Sequence, residues 1–193
     1  MLSDVEVETV PSVPYPVKPH VNTAMGTQPS NPPATDTPAP HSRPPATRAT
    51  STELLRVYSP GSGDHLYTTS AAERDSAVAK FGYADEGVAC RVFEAPGAST
   101  TALLRAYNPA TGDHLFTTSV AERDNAIAQH GYVDEGIACH VFTTARAGTT
   151  PLLRAYNPVS GDHLYIISAA ERDTAVARHG YVDEGITCHV YPR

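Results

Sequence analysis

The stretch Leu103 to Pro151 reads LLRAYNPATGDHLFTTSVAERDNAIAQHGYVDEGIACHVFTTARAGTTP. Nearly the same text begins at Leu54 and again at Leu152. His65, His114 and His163 recur at a step of 49 residues, and Cys90, Cys139 and Cys188 keep that step. So do Gly87, Gly136 and Gly185, with no insertion or deletion between copies. A fixed period of this length marks a repeat architecture, in which one supersecondary unit is stacked on its own copies. The three copies span residues 54–102, 103–151 and 152–193, and they are expected to form a single domain.

Each copy runs through the same local signals. Leu-Leu-Arg-Val-Tyr (Leu54–Tyr58) has the length and composition of a short strand. Ser-Pro or Asn-Pro then starts a turn, and Gly63, Gly112 or Gly161 supplies a positive φ, which predicts a hairpin into HLYTT, HLFTT or HLYII. Ser70 and Glu73 have the spacing of a capping box, as do Ser119/Glu122 and Ser168/Glu171. A helix is expected to follow, with its alanines, Val78 and Phe81 on the apolar side and Gly82 ending it. A last strand carries Val88, Cys90 and Val92 in alternation, which predicts that all three face the core.

The fold class is therefore mainly β with one short helix per repeat. No strand pair of this length is stable alone, so the copies must close on one another. A pseudo-three-fold closed ring, like a three-bladed propeller, is the expected architecture, since closure removes exposed strand edges. A β-trefoil is the alternative, disfavoured by a capped helix inside every copy.

Residues 1–53 differ in kind. They hold 11 of the 17 prolines, set among Thr, Ser and Ala, with no apolar periodicity. Such a composition buries too little surface to offset its ordering entropy, so a disordered tail is expected.

Composition narrows the function. The formal net charge is −7 over 193 residues, and residues 54–193 hold 11 Lys and Arg against 16 Asp and Glu. With no basic stripe, nucleic acid is not an expected partner. The N-terminus is acidic where an export signal needs basic residues, and no apolar run approaches a membrane span. A soluble monomer, cytoplasmic or exported by a non-classical route, is expected. Three cysteines at one equivalent position suggest reduced core thiols rather than a disulfide framework.

The string L-x-R-x-Y-N-P-x-x-G-D-H-x-Y-T-T-S-x-x-E-R-D-x-A, followed by G-Y-x-D-E-G-I-A-C, resembles a repeat family of uncharacterised function. That family occurs in bacterial and fungal proteins, often as an accessory module beside secreted hydrolases. The resemblance covers residues 54–193 and brings no catalytic residues. It implies a carbohydrate- or cell-wall-binding role by analogy. Neither an attached enzyme domain nor an export signal is expected for this chain, and in that it looks more like the cytoplasmic lectins of fungi.

The sharpest polar motif is Gly-Asp-His-x-Tyr. Period two places His65, Tyr67 and Thr69 on one strand face, and an imidazole, a ring and a hydroxyl suit a sugar. The candidate ligand residues are Asp64, His65 and Tyr67, then Asp113, His114 and Phe116, then Asp162, His163 and Tyr165. The competing reading is structural, with the His and Tyr side chains bonding the neighbouring copy's backbone. Glu86, Glu135 and Glu184 join the candidates, as interface acids. They stand beside Asp85, Asp134 and Asp183, but adjacent acids on extended backbone point apart and make a poor glycosidase pair. No HxH or HExxH spacing points to a metal, and no nucleophile elbow or phosphate loop occurs. Neither a cofactor nor an enzymatic activity is expected. The expected function is a non-catalytic, lectin-like binding module with up to three related sites. The alternative is a structural or protein-interaction scaffold.

The copies differ at a few positions. The third carries Ile166-Ile167 where the others carry Thr-Thr, the second has Phe116 for Tyr, and the first has Phe81 and Arg91 where the others have His. Any sites are therefore not equivalent.

Overall fold

A computed structural model describes residues 50–193. The described residues lie in one compact unit, Arg48–Arg193. The expected tail falls outside them except at its end, where Ser51–Glu53 already belong to a strand.

The first unit contains β1 (Ser51–Tyr58), β2 (His65–Thr68), α1 (Ala71–Phe81) and β3 (Ala84–Phe93). The second contains β4 (Thr100–Tyr107), β5 (His114–Thr117), α2 (Val120–His130) and β6 (Val133–Phe142). The third contains β7 (Thr150–Tyr156), β8 (His163–Ile166), α3 (Ala169–His179) and β9 (Val182–Val190). Within each unit the first strand is central, paired antiparallel with the second on one side and the last on the other.

The predicted turns form for the predicted reason. Gly112 stands at φ 84° and donates its amide to the Asn108 carbonyl at 2.8 Å, while Asn108 Oδ1 accepts from Ala110 at 2.9 Å. That asparagine also donates Nδ2 to the His130 carbonyl at 3.0 Å, so one side chain sets the turn and ties down the end of α2. The helix ends are likewise as read. Ser70 Oγ accepts from the Glu73 amide at 3.2 Å, and Gly82 is left-handed at φ 71°.

The capping box is only half formed, however. Thr68 Oγ1 takes the Ser70 amide at 2.9 Å and donates to the Glu73 carboxylate, which turns toward the next unit instead of reaching back. The apolar side of α1 is carried by alanine as expected, but not by Val78 and Phe81. Ala77 is its buried residue, whereas Val78 and Phe81 are about two-fifths exposed, at 38% and 42%. Ala77 packs on Val57 and Leu66 in a small satellite cluster, so the helix lies on the sheet by its smallest side chains.

Two irregularities in β3 shape the site. Pairing with β1 shifts between Leu54 and Leu55 and again between Arg56 and Val57, leaving Ala89 and Glu86 as extra residues. β6 and β9 show the same two shifts. Such bulges re-aim side chains. Cys90 and Val92 therefore face the core, but the residue before the bulge does not. Ile137 and Ile186, equivalents of Val88, are each 58% exposed. This corrects the simple alternation expected for that strand.

The central core joins all three units through Leu54, Tyr67, Cys90 and Val92 and their equivalents. Leu54, Leu103 and Leu152 are each 1% exposed, and each stabilises the fold by about 1.5–3 kcal/mol.

The nine strands form one sheet of order β2-β1-β3-β6-β9-β7-β8, with β4 and β5 branching from β6. This order is open, so backbone pairing does not build the closed ring of separate blades. The units meet at single pairs, Phe93 with His140 and Phe142 with His189, because the last strands touch only near their ends. Arg91 and Tyr191 form an isolated bridge, with N–O distances of 2.9 and 3.1 Å. Among the described residues no helix is long and apolar enough to cross a membrane.

Candidate functional site

The Gly-Asp-His motifs meet between units. The hairpin turn delivers Asp64 to the start of β5, where Oδ1 accepts the His114 amide at 3.0 Å and Oδ2 accepts from His114 Nδ1 at 2.9 Å. Asp113 holds His163 in the same way at 2.8 and 2.7 Å, and Asp162 holds His65 at 2.8 and 2.8 Å. Each carboxylate also takes a tyrosine hydroxyl of its own unit, at 2.9 Å from Tyr83, 2.5 Å from Tyr132 and 2.6 Å from Tyr181. Burial and then the charge of Asp113 push the Tyr132 phenol up, so it stays a hydrogen-bond donor.

Asp64, Asp113 and Asp162 are buried, and one oxygen of each lies within 4.8 Å of the others. Three like charges so close would repel strongly in a low dielectric. Each is compensated by three donors: a backbone amide, an imidazole and a phenol. Burial alone would lower the His114 pKa, but the charge and hydrogen bond of Asp64 outweigh it, and the pKa is raised.

The aromatic members of the motif lie elsewhere. Tyr67, Phe116 and Tyr165 are each 1% exposed and meet edge to face, with centroids 5.5–5.6 Å apart. The Tyr67 hydroxyl donates to the Tyr165 carbonyl at 2.8 Å and accepts its amide at 2.9 Å. The Tyr165 hydroxyl does the same for Phe116 at 2.7 and 2.8 Å. Tyr67, Phe116 and Tyr165 are therefore core residues that bond the next unit's backbone. The expectation that they stack on a ligand is overturned, because no face of the rings reaches solvent. Asp64, Asp113 and Asp162 are corrected in the same way, from ligand contacts to buried clamps.

Glu86, Glu135 and Glu184 come to the junctions through the bulge. Glu86 meets Arg56 Nε at 2.7 Å, and Arg56 Nη1 reaches across to Glu171 of the third unit at 2.8 Å. Arg105 likewise joins Glu135 at 2.8 Å to Glu73 of the first unit at 3.0 Å. Arg154 joins Glu184 at 2.7 Å to Glu122 of the second at 2.8 Å. The Arg105–Glu135 and Arg154–Glu184 contacts are close ion pairs without hydrogen-bond geometry at Glu135 Oε2 and Arg154 Nε. The neighbouring Asp85 does point away, accepting the Gly87 amide at 2.9 Å and pairing with Arg74 at 2.8 Å.

A cleft of about 660 Å³ opens between the third and first units. Arg56, Tyr58, His65 and Glu86 line it from one side, and Glu171 and Tyr181 from the other. The Tyr58 ring lies 4.8 Å from the His65 ring at 38°, and His65 Nε2 is 3.8 Å from Glu86. His65 and Glu86 are thus the sequence candidates that border open space here, with Asp162 behind them.

Arg56, Tyr58 and Glu171 were not among the candidates. The signal for the first two was present: Arg56 and Tyr58 alternate with Val57 in β1, which puts both on the face opposite a buried valine. Glu171 was hidden because a capping glutamate has a sufficient local explanation.

A family model described as a domain of unknown function (DUF5648) matches residues 53–191. The chain belongs to this family. The DUF5648 match contains every residue of the inter-unit junctions and of the cleft, and it agrees with the expected membership in an uncharacterised family. No curated protein and no solved structure matches the chain.

Proposed function

We propose that this DUF5648 chain is a non-catalytic, lectin-like binding module that takes a carbohydrate in the cleft between its third and first units. One observation carries the reading: the cleft sets the Tyr58 ring beside hydrogen-bonding groups that converge from two units, namely Arg56, Glu86 and Glu171. A sugar offers an apolar face to a ring and hydroxyls to charged donors and acceptors. In this reading the three units are related by a pseudo-three-fold axis, propeller-like. The Asp–His clamps and the Arg91–Tyr191 bridge join the third unit back to the first. The other two junctions then offer related sites, and weak single sites gain from being linked.

The test is a glycan array followed by calorimetry with chitin oligosaccharides and peptidoglycan fragments, on the native chain and on Tyr58→Ala. Binding that weakens in the variant supports the reading. A second reading, a structural or protein-interaction scaffold, is favoured by the fact that the motif's imidazole Nδ1 atoms and buried phenols are all spent between units. Absence of glycan binding, with capture of a protein partner, would decide for it.

A further inference from the structure

The three junctions differ at one carboxylate. In the first unit Thr68 donates to Glu73, and in the second Thr117 donates to Glu122. Those hydroxyls also accept the amides of Ser70 at 2.9 Å and Ser119 at 3.0 Å. The third unit has Ile166 at this position, which has no hydroxyl. Ile166 is buried and packs with Leu164 and Ala175 against Tyr181. Glu171 keeps Arg56 at 2.8 Å but has lost the donor that its two counterparts receive from their own units.

Ile166 fills the place of the threonine side chain, and the open space lies on another side of Glu171. Glu171 borders the cleft of about 660 Å³, and a smaller hollow beside it is lined by Ile166, Ile167 and Arg56. Two carboxylates, one guanidinium and the imidazoles of His65 and His179 line the cleft. Glu86 and Glu171 share the single guanidinium of Arg56, so the carboxylates outnumber the guanidinium there. A ligand that brings its own cationic donor would complete Glu171 and relieve this excess.

We propose that the cleft at Glu171 selects an amino sugar, whose ammonium group donates to Glu171 from the cleft side and supplies the second donor that the third unit lacks. The proposal rests on the carbohydrate reading above and adds the ligand class and the specificity-determining residue. Tyr58 and His65 offer the ring contact, and Arg56 holds the carboxylate in place.

The experiment compares calorimetric binding of a glucosamine tetramer and an N-acetylglucosamine tetramer to the full chain at pH 6, where the amine is charged. The free amine is expected to bind on the order of tenfold tighter, as a charge-assisted bond implies. Glu171→Gln keeps the cap amide and an acceptor for Arg56 but removes the charge, and it should abolish the preference. Ile166→Thr restores the donor to Glu171 and should reduce it too, which covers the case in which the first variant is poorly folded. A preference unchanged in both variants would overturn the proposal. So would binding of acetylated or neutral glycans without the free amine, and that outcome leaves the carbohydrate reading standing. Binding of neither kind of saccharide overturns both.

Discussion

Asp64 grips His114 by two atoms at once: Oδ1 takes the backbone amide at 3.0 Å and Oδ2 takes ring Nδ1 at 2.9 Å. A two-point contact fixes both the strand start and the ring plane. Because Asp64 ends the hairpin of one unit and His114 begins the second strand of the next, the clamp sets how adjacent units dock. The same contact recurs from Asp113 to His163 and from Asp162 to His65.

Removing one clamp should be costly. Asp113→Ala leaves the His163 amide, His163 Nδ1 and the Tyr132 hydroxyl without their acceptor at a buried position. Uncompensated buried donors cost about 1–3 kcal/mol each, so a loss on the order of 3 kcal/mol or more is expected in urea denaturation. A loss under about 0.5 kcal/mol would show that the clamp does not hold the units.

Stability should depend on the protonation of His114. Its pKa is raised in the folded state, because Asp64 outweighs the opposing effect of burial. Glu135 at 3.9 Å and Arg105 also face this region, the first raising and the second lowering the pKa. For a raised histidine the added stability is fully present below the unfolded value of about 6.5 and is lost as pH rises through the folded pKa. Urea midpoints should therefore fall with pH across that window. The fall should be shallower in His114→Asn, which keeps a donor but does not titrate. An identical slope in both proteins would refute the assignment.

Phe116 interrupts a pattern of hydroxyls. Tyr67 serves the backbone of residue 165 and Tyr165 serves that of residue 116, but Phe116 cannot serve that of residue 67. Phe116→Tyr supplies the third hydroxyl within an edge-to-face cluster already built for two. A gain of about 0.5–1.5 kcal/mol is expected, read as a higher denaturation midpoint. A lower midpoint would mean that the site is too tightly packed for the added oxygen.

The three thiols should be inert. Cys90, Cys139 and Cys188 are free and buried, and burial pushes the Cys90 thiol up to about 12. Thiolate is the reactive form, so labelling without denaturant should be slow at all three. Cys90→Ala should cost on the order of 1 kcal/mol as a small cavity, and Cys90→Asp far more as an unpaired buried charge. Fast labelling of the folded protein would contradict the placement.

Local chemistry was legible in the residues themselves. The Asn-Pro-x-x-Gly turns, the serine caps and the helix-ending glycines depend on neighbours a few positions away, and each formed where its residues stand. The cysteines were placed correctly because alternation near the end of a strand is a local pattern. Alternation failed at Ile137 and Ile186, where a bulge set by pairing with another strand shifted the phase.

Tertiary structure alone decided the fate of the polar motif. Asp64, His65 and Tyr67 look alike in sequence as ligand groups, yet one became a clamp, one borders the cleft and one fills the core. That division depends on partners 50 or 97 residues away, at His114 and Asp162, which no local spacing encodes. The same holds for Glu171. Its cap role was readable from Ser168 three residues earlier, but its place across from Arg56, 115 residues distant, exists only once the third unit meets the first.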